Sequence, residues 1–239
     1  MPYETLPSMF AMRSAELSDS AALLVKSGDA FRPILWKELR SRVYAIAAAL
    51  LKSGIQKGDR IGILSENRRE WIEADFGILC AGGITVALHA PLTAAQVRQQ
   101  FQDCKPAAIF VSTATQQEKL AEALTGLRIS PVIYTLEPSN HFPAAILYDA
   151  LVRQGEELIS ESPFSVPDEA IVRDDPCAIL YTSGTTGESR GVVLTHRNFL
   201  SNIESMQLHE PPKPAREPVT LGFLPLSHVY ARTCDLYYS

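Results

Sequence analysis

The sequence predicts an α/β fold, a mainly parallel sheet flanked by helices. Three observations carry that expectation. Short β-prone apolar runs alternate with amphipathic stretches of helical period between Trp36 and Thr135. Capping residues and glycine stops delimit the helical stretches. With 46% of its 239 residues hydrophobic, the chain can bury a sizeable core.

Taken in order, Trp36 to Leu51 places Leu39, Val43, Ile46, Ala47 and Leu50 on one helical face and stops at Ser53-Gly54. A strand follows at Arg60 to Leu64. Asn67 with Glu70 three residues on has the spacing of a capping box, for a helix whose stripe of Ile72, Phe76 and Leu79 ends at Gly82-Gly83. Ile84 to Leu88 is then a strand. Thr93 and Gln96 repeat the capping signal for a helix through Asp103. Ala107 to Val111, a helix near Thr115 to Leu124, and Val132 to Thr135 continue the βαβ alternation.

From Leu136 to Pro176 the pattern weakens, with Pro138, Pro143, Pro163, Pro167 and Pro176 around one helix near Tyr148 to Ile159. A subdomain connection is expected there, dividing the chain into 1–170 and 171–239. A second proline cluster, His209 to Pro218, holds Pro211 and Pro214 in P-x-x-P register, for which a surface loop is a plainer reading than an SH3 ligand. The final "SHVYARTCDLYYS" reads as the opening turns of a helix with no stop signal before Ser239, so the chain is expected to be the first part of a longer one.

Bulk properties exclude several function classes. The longest apolar run, Ile78 to Leu88, carries a glycine pair and falls short of the ~20 residues a membrane helix needs. No targeting pattern opens the chain, which makes the cytoplasm the default. Cys80, Cys104, Cys177 and Cys234 lack any C-x-x-C spacing and suit reduced thiols. A net charge of -5 with interspersed basic residues offers no footprint for nucleic acid.

Chemistry concentrates in "LYTSGTTGESRGVVLT", Leu180 to Thr195. Cys177 to Thr182 and Val192 to Thr195 are β-prone, so the loop between them joins strand to strand, and a helix capped by Thr195 comes only afterwards. A Walker-type loop instead needs G-x-x-x-x-G-K-[ST] and passes directly into a helix. The composition still suits a polyphosphate. Gly184, Gly187 and Gly191 let the backbone approach an anion, Thr182, Ser183, Thr185 and Thr186 add hydroxyl donors, and Arg190 adds a planar cation. A solvated hairpin turn has the same composition and, on composition alone, is the more ordinary reading.

In its order, "YTSGTTGESRGV" resembles the phosphate-binding signature of the adenylate-forming superfamily, [YF]-T-S-G-[ST]-T-G-x-P-K-G-V, which includes acyl-CoA synthetases. Ser189 and Arg190 stand where that signature has proline and lysine. "RIGILSENRREWIEADFGILCAGGITVALHAPLTAAQVRQQFQDCKPAAIFVS" (Arg60 to Ser112) and "FLPLSHVYART" (Phe223 to Thr233) are similar to two further blocks of that family, the second in the form typical of long-chain fatty acid enzymes. The resemblance implies ATP-dependent conversion of a fatty acid to an acyl-adenylate and then to acyl-coenzyme A, with Mg2+. Acyl-acyl carrier protein synthesis, another carboxylate, or a non-catalytic nucleotide- or acyl-binding protein with a decayed site are the alternatives.

By the same resemblance, Thr182, Ser183, Gly184, Thr185, Thr186 and Gly187 would hold the β- and γ-phosphates, Thr182 would contact magnesium, and Arg190 would replace the lysine. His228 would border the acyl and adenylate pocket. Apart from its motif, His228 reads as a structural histidine at a loop-to-helix junction. The later motifs of the family fall beyond Ser239, so the 239-residue chain is expected to be inactive alone. The class is compatible with peripheral membrane contact through the acyl substrate.

Overall fold

The computed structural model describes residues 3–166, 170–183, 189–209 and 219–238. Helix α1 (Leu6–Glu16) and an antiparallel hairpin, β1 (Ala21–Ser27) with β2 (Ala30–Leu35), lead into α2 (Trp36–Lys52). Then β3 (Arg60–Leu64), α3 (Arg69–Cys80), β4 (Ile84–Leu88), α4 (Ala94–Cys104), β5 (Ala108–Val111), α5 (Ala114–Leu124) and β6 (Val132–Thr135) alternate as the periodicity predicts. They are followed by β7 (Ile146–Leu147), α6 (Tyr148–Glu161), β8 (Pro176–Ser183), β9 (Ser189–Thr195) and α7 (His196–Leu208). The last element, α8 (Val229–Ala231), continues as a π-helical turn, Arg232–Tyr238.

Among the described residues the main sheet runs β7-β6-β5-β3-β4-β8-β9, parallel throughout except for β8 with β9. The connection from β3 to β4 runs one way along the sheet and that from β4 to β5 runs back past β3. Right-handed crossovers therefore put α3 and α4 on opposite faces. The core divides accordingly, with a period of two along each strand. Ile61, Ile63, Ala108 and Phe110 face a large cluster with Leu39, Ile46, Trp71, Phe76 and Leu151 of α2, α3 and α6. Leu64, Ile109 and Val111 face a smaller one with Val97, Phe101 and Leu120 of α4 and α5.

Two sequence expectations change. Asn67 does not cap α3, because Arg68 occupies the cap position without a side-chain cap bond, and the Asn67 carboxamide is engaged elsewhere. After Leu136 the expected helix forms as α6 and packs on α2, and the element not expected is β7, which adds a short parallel edge to β6. There α6 comes so close that a Cβ on Gly155 would lie 1.8 Å from the Ala45 carbonyl oxygen. The predicted caps at Thr93 and Thr195 both form, each accepting the backbone N–H three residues on.

None of the four cysteines forms a disulfide. No helix of the described residues is long and apolar enough to cross a membrane. The proline cluster at 210–218 lies outside the described residues.

Candidate active site

The β8–β9 hairpin sets the first group of candidate residues. Because β8 continues the parallel sheet beside β4, its carboxyl end lies on the edge where open α/β sheets bind ligands. Thr182 pairs across the hairpin with Arg190, and Ser183 with Ser189. Directly opposed residues share a face, so Thr182 and Arg190 project together. Tyr181 and Ser189 take the other face. The Tyr181 hydroxyl lies 2.7 Å from the Asp103 carboxylate and 3.1 Å from the Gln100 carbonyl of α4. Burial and that carboxylate push the tyrosine pKa well up.

This alternation explains how the hairpin accommodates its departures from the family signature. Ser189, where the signature has proline, turns toward α4, accepting from Gln100 Nε2 at 3.4 Å and donating to the Thr182 carbonyl at 3.5 Å. Arg190 points away from α4 with Thr182, and both are exposed. Gly191 sits in tight packing, since a Cβ there would lie 3.0 Å from Ile179 and 3.3 Å from the Tyr181 ring. Gly184, Thr185, Thr186 and Gly187 lie outside the described residues, and Ser183 closes β8.

The second group surrounds His228. This residue is exposed and caps α8, its Nδ1 accepting the Tyr230 N–H at 3.2 Å. In the neutral ring the proton therefore sits on Nε2, which is left as a donor. The preceding residue, Ser227, is buried, with its hydroxyl 2.7 Å from His89 Nδ1. His89 directly follows β4. Burial lowers its pKa, and the neighbouring charge of His228 lowers it further. Asn67, in the loop after β3, donates to the carbonyls of Leu224 (2.7 Å) and Gly222 (3.4 Å) and accepts the Leu226 N–H (2.8 Å).

The strand order reverses about β3, so the topological switch point of the sheet lies between β3 and β5. Asn67 leaves the sheet there, after β3, and His89 leaves it one strand away, after β4. Sequence reasoning missed both as site residues, because the Asn67 spacing mimicked a cap and His89 looked like one more residue of the "VALHAPL" run. A histidine immediately after a fully buried parallel strand was the available signal for His89.

Beyond His228, the π-helical turn is anchored by a buried ion pair. Arg232 pairs with Asp75 of α3, and the Tyr237 hydroxyl donates to the same carboxylate at 2.6 Å. Thr85 of β4 adds a bond of 2.7 Å to Asp75, and the guanidinium lies over the Trp71 and Phe199 rings. A cleft of about 730 Å³ between the β1–β2 hairpin and the start of α3 includes Asn67 but none of Thr182, Arg190 and His228 in its lining. Among the described residues no group of three or more His, Cys, Asp or Glu could hold a metal ion.

A family model described as AMP-binding enzyme matches residues 10–239. The chain belongs to the AMP-binding enzyme family. Within it, the chain is 32% identical over 199 residues to a long-chain-fatty-acid–CoA ligase of Mycobacterium bovis, covering 83% of this chain and 32% of that one. It is 30% identical over 258 residues to a long-chain-fatty-acid–CoA ligase of Escherichia coli, covering 98% of this chain and 44% of that one. The chain thus spans less than half the length of these curated relatives. Among solved structures, one described as a long-chain-fatty-acid CoA ligase of Rhodopseudomonas palustris superposes with a TM-score of 0.82 at 23% identity, over 100% of this chain and 56% of that one. That likeness shows the fold of this AMP-binding enzyme, with its mostly parallel sheet between helical layers.

Proposed function

We propose that this chain carries the ATP-handling part of an acid–thiol ligase acting on a long-chain fatty acid. The carboxylate attacks the α-phosphorus of MgATP, the bond to pyrophosphate breaks, and acyl-adenylate forms. The thiol of coenzyme A then displaces AMP. One observation carries this reading: Thr182 and Arg190 project together from the face of the hairpin turned away from α4, at the carboxyl end of the strand beside β4.

Negative charge grows on the departing pyrophosphate. A cation and hydroxyls held in place beforehand stabilise that charge more than they stabilise bound ATP. Arg190 takes this role, with Thr182, Ser183, Gly184, Thr185, Thr186 and Gly187 supplying hydroxyl and backbone donors to the β- and γ-phosphates. Magnesium enters as part of the substrate MgATP, held mainly by phosphate oxygens and water with Thr182 as a protein contact. The His228 Nε2–H lines the acyl side of the site. It need not act as a base, since a fatty carboxylate is already ionised near pH 7. Four cysteines in the thiol form suit a cytoplasmic setting.

The test is fatty-acid-dependent ATP–pyrophosphate exchange by the full-length gene product. Removing one preorganised donor to developing charge typically lowers turnover about 10²- to 10³-fold, which is the loss expected for Arg190→Ala. Unchanged exchange in that variant would sink the reading. An Arg190→Lys variant far faster than the parent would favour a decayed, non-catalytic binding site instead. Supplying coenzyme A or an acyl carrier protein in the second half-reaction identifies the thiol.

A further inference from the structure

We propose that Asn67 and His89 are positioning residues: together they clamp residues 222–227 across the carboxyl ends of β3 and β4 and so set where the His228 ring stands. What His228 does there rests on the ligase reading, but the clamp itself does not.

The clamped segment has little else to hold it. Residues 219–227 form no helix or strand, and Val219, Leu221 and Phe223 are between 73% and 76% exposed. Leu224 is half-buried, and full burial begins only at Leu226 and Ser227. Asn67 engages the carbonyls of 222 and 224 and the N–H of 226, three groups that converge on it because the backbone bends at 224 and turns at 226–227. Only a carboxamide supplies two donors and an acceptor on one short planar group. An aspartate lacks the donors, and a serine offers only one.

The second tether, Ser227 to His89, sits one residue before His228. Downstream, the His228 N–H donates to the Pro225 carbonyl at 2.9 Å and the ring accepts from Tyr230, so ring orientation follows the backbone of 225–230. The anchors on the sheet side are firm. Asn67 precedes Arg68, which is ion-paired to Glu70 and Glu137, and His89 follows a strand with every residue buried.

Amide hydrogen exchange on the 239-residue chain tests the clamp. Losing its acceptor should speed exchange at the Leu226 amide about tenfold or more in Asn67→Ala, while amides of β3 keep their wild-type rates. Wild-type exchange at Leu226 overturns the clamp. Should β3 loosen as well, Ser227→Ala decides: faster exchange at 226 and 228 with β3 intact supports the clamp, and unchanged rates overturn it.

Coupling to His228 is read by pyrophosphate exchange on the full-length gene product. Asn67→Ala should lower the rate about tenfold in the parent and within about twofold in a His228→Ala background, the signature of two residues acting as a unit. A loss of equal size in both backgrounds means a structural role and overturns the proposal. A parent with no exchange activity would defeat the ligase reading, and the amide-exchange result would still decide the clamp.

Discussion

At the scale of single residues, the chemistry of this chain depends on where polar side chains are aimed, and neighbours along the sequence often fail to show it. His196 begins α7 just after the Thr195 cap and is 2% exposed, its Nδ1 accepting the Leu6 N–H from α1 at 3.3 Å. Burial pushes its pKa down to about 4, with Asp175 opposing. Above about pH 6.5 the ring is neutral in both folded and unfolded chains; between there and about 4 only the unfolded chain takes up the proton, so stability falls as pH falls, by about 3 kcal/mol across the window. Urea unfolding near pH 7 and near pH 4.5 should show that loss, reduced in His196→Gln, which keeps an acceptor without the titration. An undiminished pH dependence in the variant would assign the effect to other groups. Asn67 teaches the same lesson about local pattern: N-x-x-E is a capping spacing, yet its partners lie 155 to 159 residues away, beyond any window of local pattern.

At the scale of elements, legibility follows the completeness of burial. β3 and β4 form at the predicted residues because they are apolar runs inside the sheet, and α2 because its buried face repeats at helical spacing. The β1–β2 hairpin was not legible, since both strands are largely exposed and lack clean alternation. Helix α1 carried a signal in another form. Its cap is reciprocal between Thr5 and Ser8, with serine in place of the usual glutamate or glutamine, and Leu6, Met9 and Phe10 are its buried stripe. The α2–α6 contact was hidden for a different reason, because a glycine inside a helical pattern reads as a weakness rather than as a contact. Gly155→Ala would force a methyl against the Ala45 carbonyl and should destabilise the fold by about 3 kcal/mol, the upper range for overpacking. Chemical denaturation measures it, and a loss below about 0.5 kcal/mol would show that α6 can shift away at little cost.

At the scale of the whole molecule, the hairpin that carries the candidate phosphate site is also a sheet edge. Among the described residues β9 pairs only with β8, and Val192 and Val193 are 42% and 53% exposed. Phe223 adds an exposed apolar side chain, whereas Leu226 three residues on is buried in the core. Exposed apolar edges favour association, so light scattering on the 239-residue chain should show a mass that grows with concentration, diminished in Val193→Lys. A monomer at every concentration would mean that the edge protects itself. The Asp75–Arg232 pair also imposes an order in time. Its partners are 157 residues apart, and at roughly 5–20 residues per second a ribosome needs about 8 to 30 s between them. Throughout that interval the nascent α3 holds a carboxylate whose counter-charge does not yet exist, so the first βαβ unit completes its interior only as the last turn is made.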